Sequence, residues 1–573
     1  MQFLLAFLAF SIGAVLSALG VVQYVEQIPP SEVRVVAERN STSPFLLLPN
    51  SLVSSYGGSP TLIINDSGAI NVFYGRESDL RAWLDELPHS EARLIVDKAV
   101  ETVSFAEIER AGTDVANPIG ADLWIAEFGG RARLQLTLPS TPELAAMVAS
   151  DGTAASPREV ELVWKLPALE TPVPPIIWVG LALMSLGALL GLVMLYYDLK
   201  HNGPRRRRLR PPKRPKLFAR YRTRSQVDVS PQLGRRSRRA SGSVALAVGV
   251  AVALTGCAAE LENPILSPNP QTPPEGLTAA LSSEQMDRII RQTVAVANDA
   301  DKNLDRESLQ QRLAGPALEL RTVAYTLARQ TEEKTPPPPL VASPVVLRLP
   351  SATDSWPRTF MAVTQGGETG SQLMAFRQET PRDPYYLWYY SSLLPGQSFP
   401  EIAAAELGAV ALEPDNSLLM HTPQSLVQII GSIVDEGFDS PFALSIDFRN
   451  PYLSAITKYQ TSLQQSLTDA NITISHSLGE FEPILLATLN GGALLCLKAV
   501  DNYRIEPRES GDAISISGDE ALLLGAEASA SGFETSYGAM LVFYIPTVGS
   551  SEQIRLLGAT QGLIGVKNLA VTE

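Results

Sequence analysis

Thiol and imidazole chemistry are nearly absent from this sequence. It has two cysteines, Cys257 and Cys496, and four histidines, His89, His201, His421 and His476, in 573 residues. No Cys-x-x-Cys pair occurs and no two histidines stand at ligand spacing, so a zinc or haem site is not expected. A disulfide framework has no basis either. Also missing are Gly-x-Ser-x-Gly, His-Glu-x-x-His, a Walker loop and Gly-x-Gly-x-x-Gly. A serine adjacent in sequence, such as Ser90 beside His89 or Ser475 and Ser477 beside His476, does not make a triad, which can only be assembled in space. No catalytic residue, metal site or cofactor is assigned from these motifs.

The length exceeds what one core supports, so several domains are expected. The hydrophobic fraction of 45% and the mean hydropathy of +0.06 are high for a soluble chain and low for a polytopic transporter. A few spans with large soluble parts fit both. The net charge of −14 is unevenly placed. Segment 199–240 holds 16 basic residues against one acid, Asp228, while the remainder holds 30 basic and 59 acidic residues. A single basic block in an acidic chain reads as a sidedness signal, not as a nucleic-acid surface. Its only aromatics, Phe218 and Tyr221, make a poor base-stacking platform.

Three apolar segments organise the chain. Phe3–Val22 is long enough to cross a bilayer and lacks the basic start of a cleavable signal. Ile176–Tyr197 carries Trp178 at one end and Tyr196–Tyr197 at the other, as an interfacial belt requires, and the arginine block follows at once. That block marks the cytoplasmic side. The spacing Gly187–Gly191 would let a second helix approach, although two chance glycines in an apolar helix are the plainer reading. The third segment runs from Arg235, Arg236, Arg238 and Arg239 through Val244–Leu254 to Leu254-Thr255-Gly256-Cys257. Basic start, short apolar run and small-residue cleavage site, in that order, make a lipoprotein-type signal with Cys257 as the lipid-anchor residue. The layout expected is therefore 1–24 transmembrane, 25–173 an extracytoplasmic, mostly β domain, and 174–198 transmembrane. Next come 199–240 as a basic cytoplasmic loop, 241–257 as the third segment, 258–276 as a Pro-rich tether, and two α+β modules, 277–414 and 418–573.

In the first soluble domain, Thr61–Ile64 and Ala69–Tyr74 flank Asn65-Asp66-Ser67-Gly68 and predict a hairpin. Leu80, Trp83, Leu84 and Leu87 stand at helical spacing. In the first α+β module, Ser282 to Gln285 reads as a capping box and Gly315-Pro316 restarts a helix. Strands follow at Thr359–Thr364, Gln372–Thr380 and Tyr385–Leu394. In the second, Thr422-Pro423 opens a helix that Gly437 stops. Asn490-Gly491-Gly492 joins the strands Pro483–Leu489 and Ala493–Val500. Ala521–Gly525 is read as another strand. Helices then strands, twice over, predict tandem modules with helices on an antiparallel sheet, cone-shaped by analogy with nuclear-transport-factor or cystatin folds.

Three constellations invite chemistry and have plainer readings. Asp299, Asp301, Asn303, Asp305 and Glu307 match alternate positions of a calcium loop, but Leu304 stands where Gly is needed and Gln310 where Glu is needed. A helix–helix connection capped by Asp305 is favoured. Asp299-Ala300-Asp301 also matches a metal–nucleotide-sugar triplet, too common to carry weight. The strip Tyr385, Tyr386, Trp388, Tyr389 and Tyr390 would alternate across a sheet, one face in the core and the other shielding it.

Ala69–Arg76, Ala149–Ala154 with Val163-Trp164, Arg312–Arg321 and Asn490–Ala493 together resemble an uncharacterised actinobacterial membrane-protein and lipoprotein family with a C-terminal domain of unknown function. The resemblance implies a Gram-positive envelope location and carries over no activity. The expectation is a membrane-anchored cell-envelope protein, a non-enzymatic binding or scaffolding component. Its partners would be membrane lipid and other envelope proteins or glycans. The alternative is an enzyme, or accessory subunit, acting on cell-wall glycan or its lipid-linked precursors.

Overall fold

The computed structural model describes residues 2–26, 31–38, 42–97, 102–112, 115–166, 173–201, 278–331, 337–366, 370–446, 450–509 and 511–570. In chain order its helices are α1 (Gln2–Glu26), α2 (Asn50–Val53), α3 (Glu77–Leu84), α4 (Pro175–His201), α5 (Ser283–Asn303), α6 (Arg306–Leu309), α7 (Gly315–Gln330), α8 (Pro423–Glu436), α9 (Pro451–Ser466) and α10 (Gly518–Leu524). The chain divides into two compact units, Met1–Ser31 with Pro167–Ile265, and Glu32–Leu166 with Leu266–Glu573.

Among the described residues, two helices are long and apolar enough to cross a membrane, Leu4–Val25 within α1 and Pro175–His201, and both belong to the first unit. They pack through glycines. A Cβ on Gly13 would lie 2.7 Å from the Gly180 carbonyl oxygen, and one on Gly187 would lie 2.7 Å from the Phe10 nitrogen. Gly191, paired with Gly187 in the sequence reading, meets nothing within 4 Å. The contact uses one glycine of that pair and three others, Gly13, Gly20 and Gly180, since small residues let helix backbones approach wherever they face the partner.

In the second unit, the first eight strands form one sheet: β1 (Glu32–Glu38), β2 (Phe45–Leu48), β3 (Thr61–Arg76), β4 (His89–Asp97), β5 (Thr102–Arg110), β6 (Ala126–Thr137), β7 (Leu144–Ala149) and β8 (Glu159–Lys165). Their order is β1-β8-β3-β7-β2-β4-β5, with β6 also on β3. The hairpin expected at Asn65–Gly68 is not there. β3 runs straight through, and those residues form a bulge at which it stops pairing β8 and begins pairing β7. Turn-forming residues suit a bulge as well as a turn, because both need locally irregular backbone. The core under this sheet is aromatic: Phe45 meets Trp83 at 5.3 Å and Trp83 meets Trp124 at 5.5 Å between ring centroids. Trp356, from far along the chain, packs on the same cluster.

The remaining strands are β9 (Val345–Pro350), β10 (Arg358–Gly366), β11 (Gly370–Gln378), β12 (Tyr386–Leu393), β13 (Ala470–Leu478), β14 (Ile484–Ala487), β15 (Ala493–Pro507), β16 (Ile514–Ser515), β17 (Ala528–Ser529), β18 (Phe533–Ile545) and β19 (Arg555–Asn568). The two α+β stretches share one nine-stranded sheet, β13-β15-β18-β19-β12-β11-β10-β9, with β14 on β15. The join is short: Ser392 pairs Ala559, and Leu393 pairs Gly558. A Cβ on Gly558 would lie 3.0 Å from the Ser392 carbonyl, so glycine lets these edges meet.

Alternation then splits the core. Even-numbered residues of β15 and β18, such as Leu494, Cys496, Met540 and Val542, bury with α5–α7, and odd-numbered ones, such as Leu495, Leu541 and Phe543, bury with α8 and α9. Helices thus cover opposite faces of the shared strands, where two separate modules, each with helices on its sheet, were expected. Other local expectations meet the structure directly. Ser282 and Gln285 form the capping box, Thr422 caps α8, and Cys496 is fully buried. Ala521–Gly525, read as a strand, lies mostly in α10, and Gly525 caps its end with a left-handed backbone. An apolar run this short does not distinguish helix from strand.

Phe543 is fully buried at the centre of this sheet. Phe543→Ala is expected to destabilise the protein by about 3–5 kcal/mol, the cost of lost burial plus a cavity, measured as a lower urea midpoint at unchanged slope.

Candidate functional site

The odd-numbered face of the large sheet carries an aromatic cleft beneath α9. Helical spacing sends Tyr452, Ile456, Tyr459 and Leu463 toward the strands. Alternation brings Asp501, Tyr503 and Ile505 of β15 up from below, and Phe533, Thr535 and Tyr537 of β18 beside them. The register makes these direct cross-strand pairs: Asp501 with Tyr537, Tyr503 with Thr535, and Ile505 with Phe533. Tyr459, Tyr503 and Tyr537 meet edge to face, with centroids 5.6, 5.7 and 6.0 Å apart. This geometry is favourable for the ring quadrupoles. Tyr459 is 41% exposed and forms the mouth.

Two neighbouring cavities of about 190 Å³ each share Tyr459 and Tyr503 as a wall. The first is closed by Tyr452, Ile456, Tyr537 and Gln561. The second reaches Leu467, Ile516, Phe533, Thr535 and Glu520. Tyr537 donates a 2.8 Å hydrogen bond to Glu520 Oε1, and the buried hydroxyl of Thr535 has no partner among the described residues. Burial, then the hydrogen bonds and charges of Tyr459 and Glu520, push the Tyr537 phenol well above its ordinary value. Burial followed by the Asp501 charge does the same for Tyr503. The cleft walls are therefore neutral phenols at physiological pH.

Behind the cleft lies His476 on β13, opposite Asp501 on β15. Its Nδ1 is 2.7 Å from Asp501 Oδ1, and its Nε2 is 3.3 Å from Asp435 Oδ1 on α8. A Cβ on Gly431 would sit 2.7 Å from the imidazole, so that glycine is what lets α8 close over the ring. Burial alone would lower the His476 pKa, but the hydrogen bond and charge of Asp501, helped by Asp435, outweigh it and the net shift is upward. Gln561 donates to the other Asp501 oxygen at 3.2 Å. Both ring nitrogens face carboxylates, an arrangement that favours the charged form of the ring.

The constellations singled out in sequence lie elsewhere. Asp301 turns inward to an ion pair with the fully buried Arg321 and accepts a 2.5 Å bond from the Tyr325 hydroxyl, while Asp299 stays exposed beside Lys302. Asp305 caps α6. Among the described residues no group of three or more His, Cys, Asp or Glu could hold a metal ion. In the aromatic strip, Tyr385 and Tyr389 are buried, and Tyr386, Trp388 and Tyr390 are half-buried on the other face. Cys257 and the third apolar segment lie outside the described residues. The cleft itself is illegible in sequence, because its tyrosines come from three separate segments. The one local signal was Tyr452 and Tyr459 on the apolar stripe of α9.

A family model described as Domain of unknown function (DUF8094) matches residues 277–568, so the chain belongs to that family. No curated protein and no solved structure matches it.

The raised His476 value sets a pH dependence. Its stabilisation is fully present below the unfolded value of about 6.5 and is lost as pH rises through the higher folded value. The urea-midpoint difference between wild type and His476→Gln is expected to be largest at mildly acid pH and to shrink in alkali. A difference that stays constant across that range would show a neutral ring.

Proposed function

We propose that this DUF8094 member is a membrane-anchored cell-envelope protein whose family domain binds a ligand in the tyrosine cleft without transforming it. The observation that carries this is the cleft: two adjacent cavities walled by neutral phenols, with the nearby His476 imidazole closed between two carboxylates. Glu520 lines the second cavity, and behind the wall Asp501 and Asp435 flank His476, so the charged groups about the cleft carry a net negative field. Tyrosine faces add negative potential. That chemistry favours an organic cation, such as the ammonium head of an envelope lipid or polymer, over an anion. Choline is the simplest probe. Saturable binding to the full-length protein in detergent by calorimetry is expected, at least tenfold weaker in Tyr459→Ala. A response equal in both proteins, or none, overturns the ligand class. Turnover of a lipid-linked wall precursor by the pure protein would favour the alternative, an enzyme or accessory subunit of wall assembly.

The envelope location draws support from the two apolar helices and the basic block 205–216 that follows the second. In this reading the N-terminus and 199–240 are cytoplasmic, and 25–173 and 258–573 are outside. Cys257 receives the diacylglyceryl group and signal peptidase II cuts before it. Two acyl chains suffice for stable anchoring. A blot against a C-terminal tag is expected to show a fragment of 257–573 that takes up labelled fatty acid, and only full-length chain in Cys257→Ala. Wild type running solely at full length and unlabelled would make Cys257 an ordinary end of a membrane segment.

A further inference from the structure

The β1–β8 domain and the family domain are far apart in sequence, yet they bury charge against one another. Asp79 on α3 is nearly inaccessible. One of its oxygens lies 2.8 Å from the guanidinium of Arg358, which is fully buried, and the other lies 3.2 Å from Arg76 Nε. Arg76 also reaches across, donating to the Thr278 hydroxyl at 3.1 Å and the Ala279 carbonyl at 3.0 Å. A second buried carboxylate, Asp122, accepts from Arg312 at 2.6 Å and from the Tyr385 backbone N–H at 2.8 Å. Backbone carbonyls beside it are taken as well: Leu123 by Gln285 at 2.8 Å and Trp124 by Arg288 at 2.5 Å. Trp356 stacks on Arg358 at 3.7 Å and packs on the Trp83–Trp124 core. Separation would strip Asp122 of Arg312 and the Tyr385 N–H, strip Arg358 of its carboxylate, and leave Asp79 with Arg76 alone.

We infer that this interface is a permanent latch, strong enough to keep residues 278–570 on the membrane-anchored half with no covalent link between them. One consequence concerns topology. Both domains must lie on one side of any membrane that α4 crosses, so the chain has to return to that side between residues 201 and 278. Another concerns processing. A cut in the intervening chain, natural or otherwise, would yield a two-chain complex and no released domain. Neither consequence depends on the cleft or on acylation of Cys257.

The test uses full-length protein in membranes, with Cys257→Ala to remove any natural cut and a specific protease site inserted after Pro270. Cutting there leaves the C-terminal fragment without any apolar segment. The fragment is expected to sediment with the membranes through washes at moderate salt, and to be cross-linked to the N-terminal half. In the double variant Asp79→Ala, Asp122→Ala, most of the fragment is expected in the supernatant after cutting, while the uncut chain stays in the pellet. Limited proteolysis of that released fragment distinguishes a lost latch, where it resists as a folded domain, from misfolding, where it is degraded. Should the variant misfold, release from wild type remains the deciding measurement. Wild-type fragment that leaves the membrane promptly at moderate salt overturns the inference.

Discussion

The carboxylate of Asp79, held between Arg76 and Arg358, is the constraint on which the second unit depends. A charge this buried is tolerable only when paired and hydrogen-bonded, and removing one member of such a pair costs about 3–5 kcal/mol. Asp79 sits in the first turn and a half of α3, which starts directly where β3 ends. Its partner Arg358 opens β10, and Trp356 just before it enters the aromatic core of the first domain. One short segment of the family domain thus supplies both an ion pair and an apolar plug to its neighbour. The orientation is fixed because the charge and the ring must be accommodated together.

The cleft depends on a different constraint, the fusion of two strand groups into one sheet. With β12 paired to β19, the face of β9–β12 is continuous with the face that α5–α7 cover, and the opposite face of β15 and β18 is left to α8 and α9. Apart from Phe543, the buried core beneath α8 and the first turns of α9 is aliphatic. Further along α9 the strands offer Tyr503, Thr535 and Tyr537 in its place, and rigid rings do not close the space as leucines would. A cavity follows from that change of side-chain type. On the other face, Lys498 is drawn to Glu319 of α7, so the nearest lysine on β15 adds no positive charge to the cleft.

Much of this was legible in sequence wherever the signal was local. Caps at Ser282 and Thr422, the stop at Gly437 and the hairpin at Asn490–Gly492 each follow from the conformational needs of a few adjacent residues. The bulge at Asn65–Gly68 was misread because the same residues serve turns and bulges, and only the neighbouring strands decide between them. The shared sheet was missed because two residue pairs, Ser392 with Ala559 and Leu393 with Gly558, create it. The tyrosine cleft and the latch are long-range constellations of ordinary residues. Asp79 and Asp122 look in sequence like surface acids, and nothing nearby announces that arginines from elsewhere will enclose them.

That the latch is polar is itself informative about how the chain assembles. A purely apolar interface between domains made far apart in sequence would expose two adhesive surfaces until both had folded, and exposed apolar patches associate indiscriminately. Arginines and aspartates stay solvated and repel the wrong neighbours during that interval. Desolvation is incurred only on docking, when each of these charges has an ionic partner in reach. Shape complementarity alone would accept small shifts, whereas Asp122 must meet both the Arg312 guanidinium and the Tyr385 N–H at once. The interface gives up some gross stability for a single docked arrangement. For two domains far apart in sequence, one defined arrangement is the property that matters.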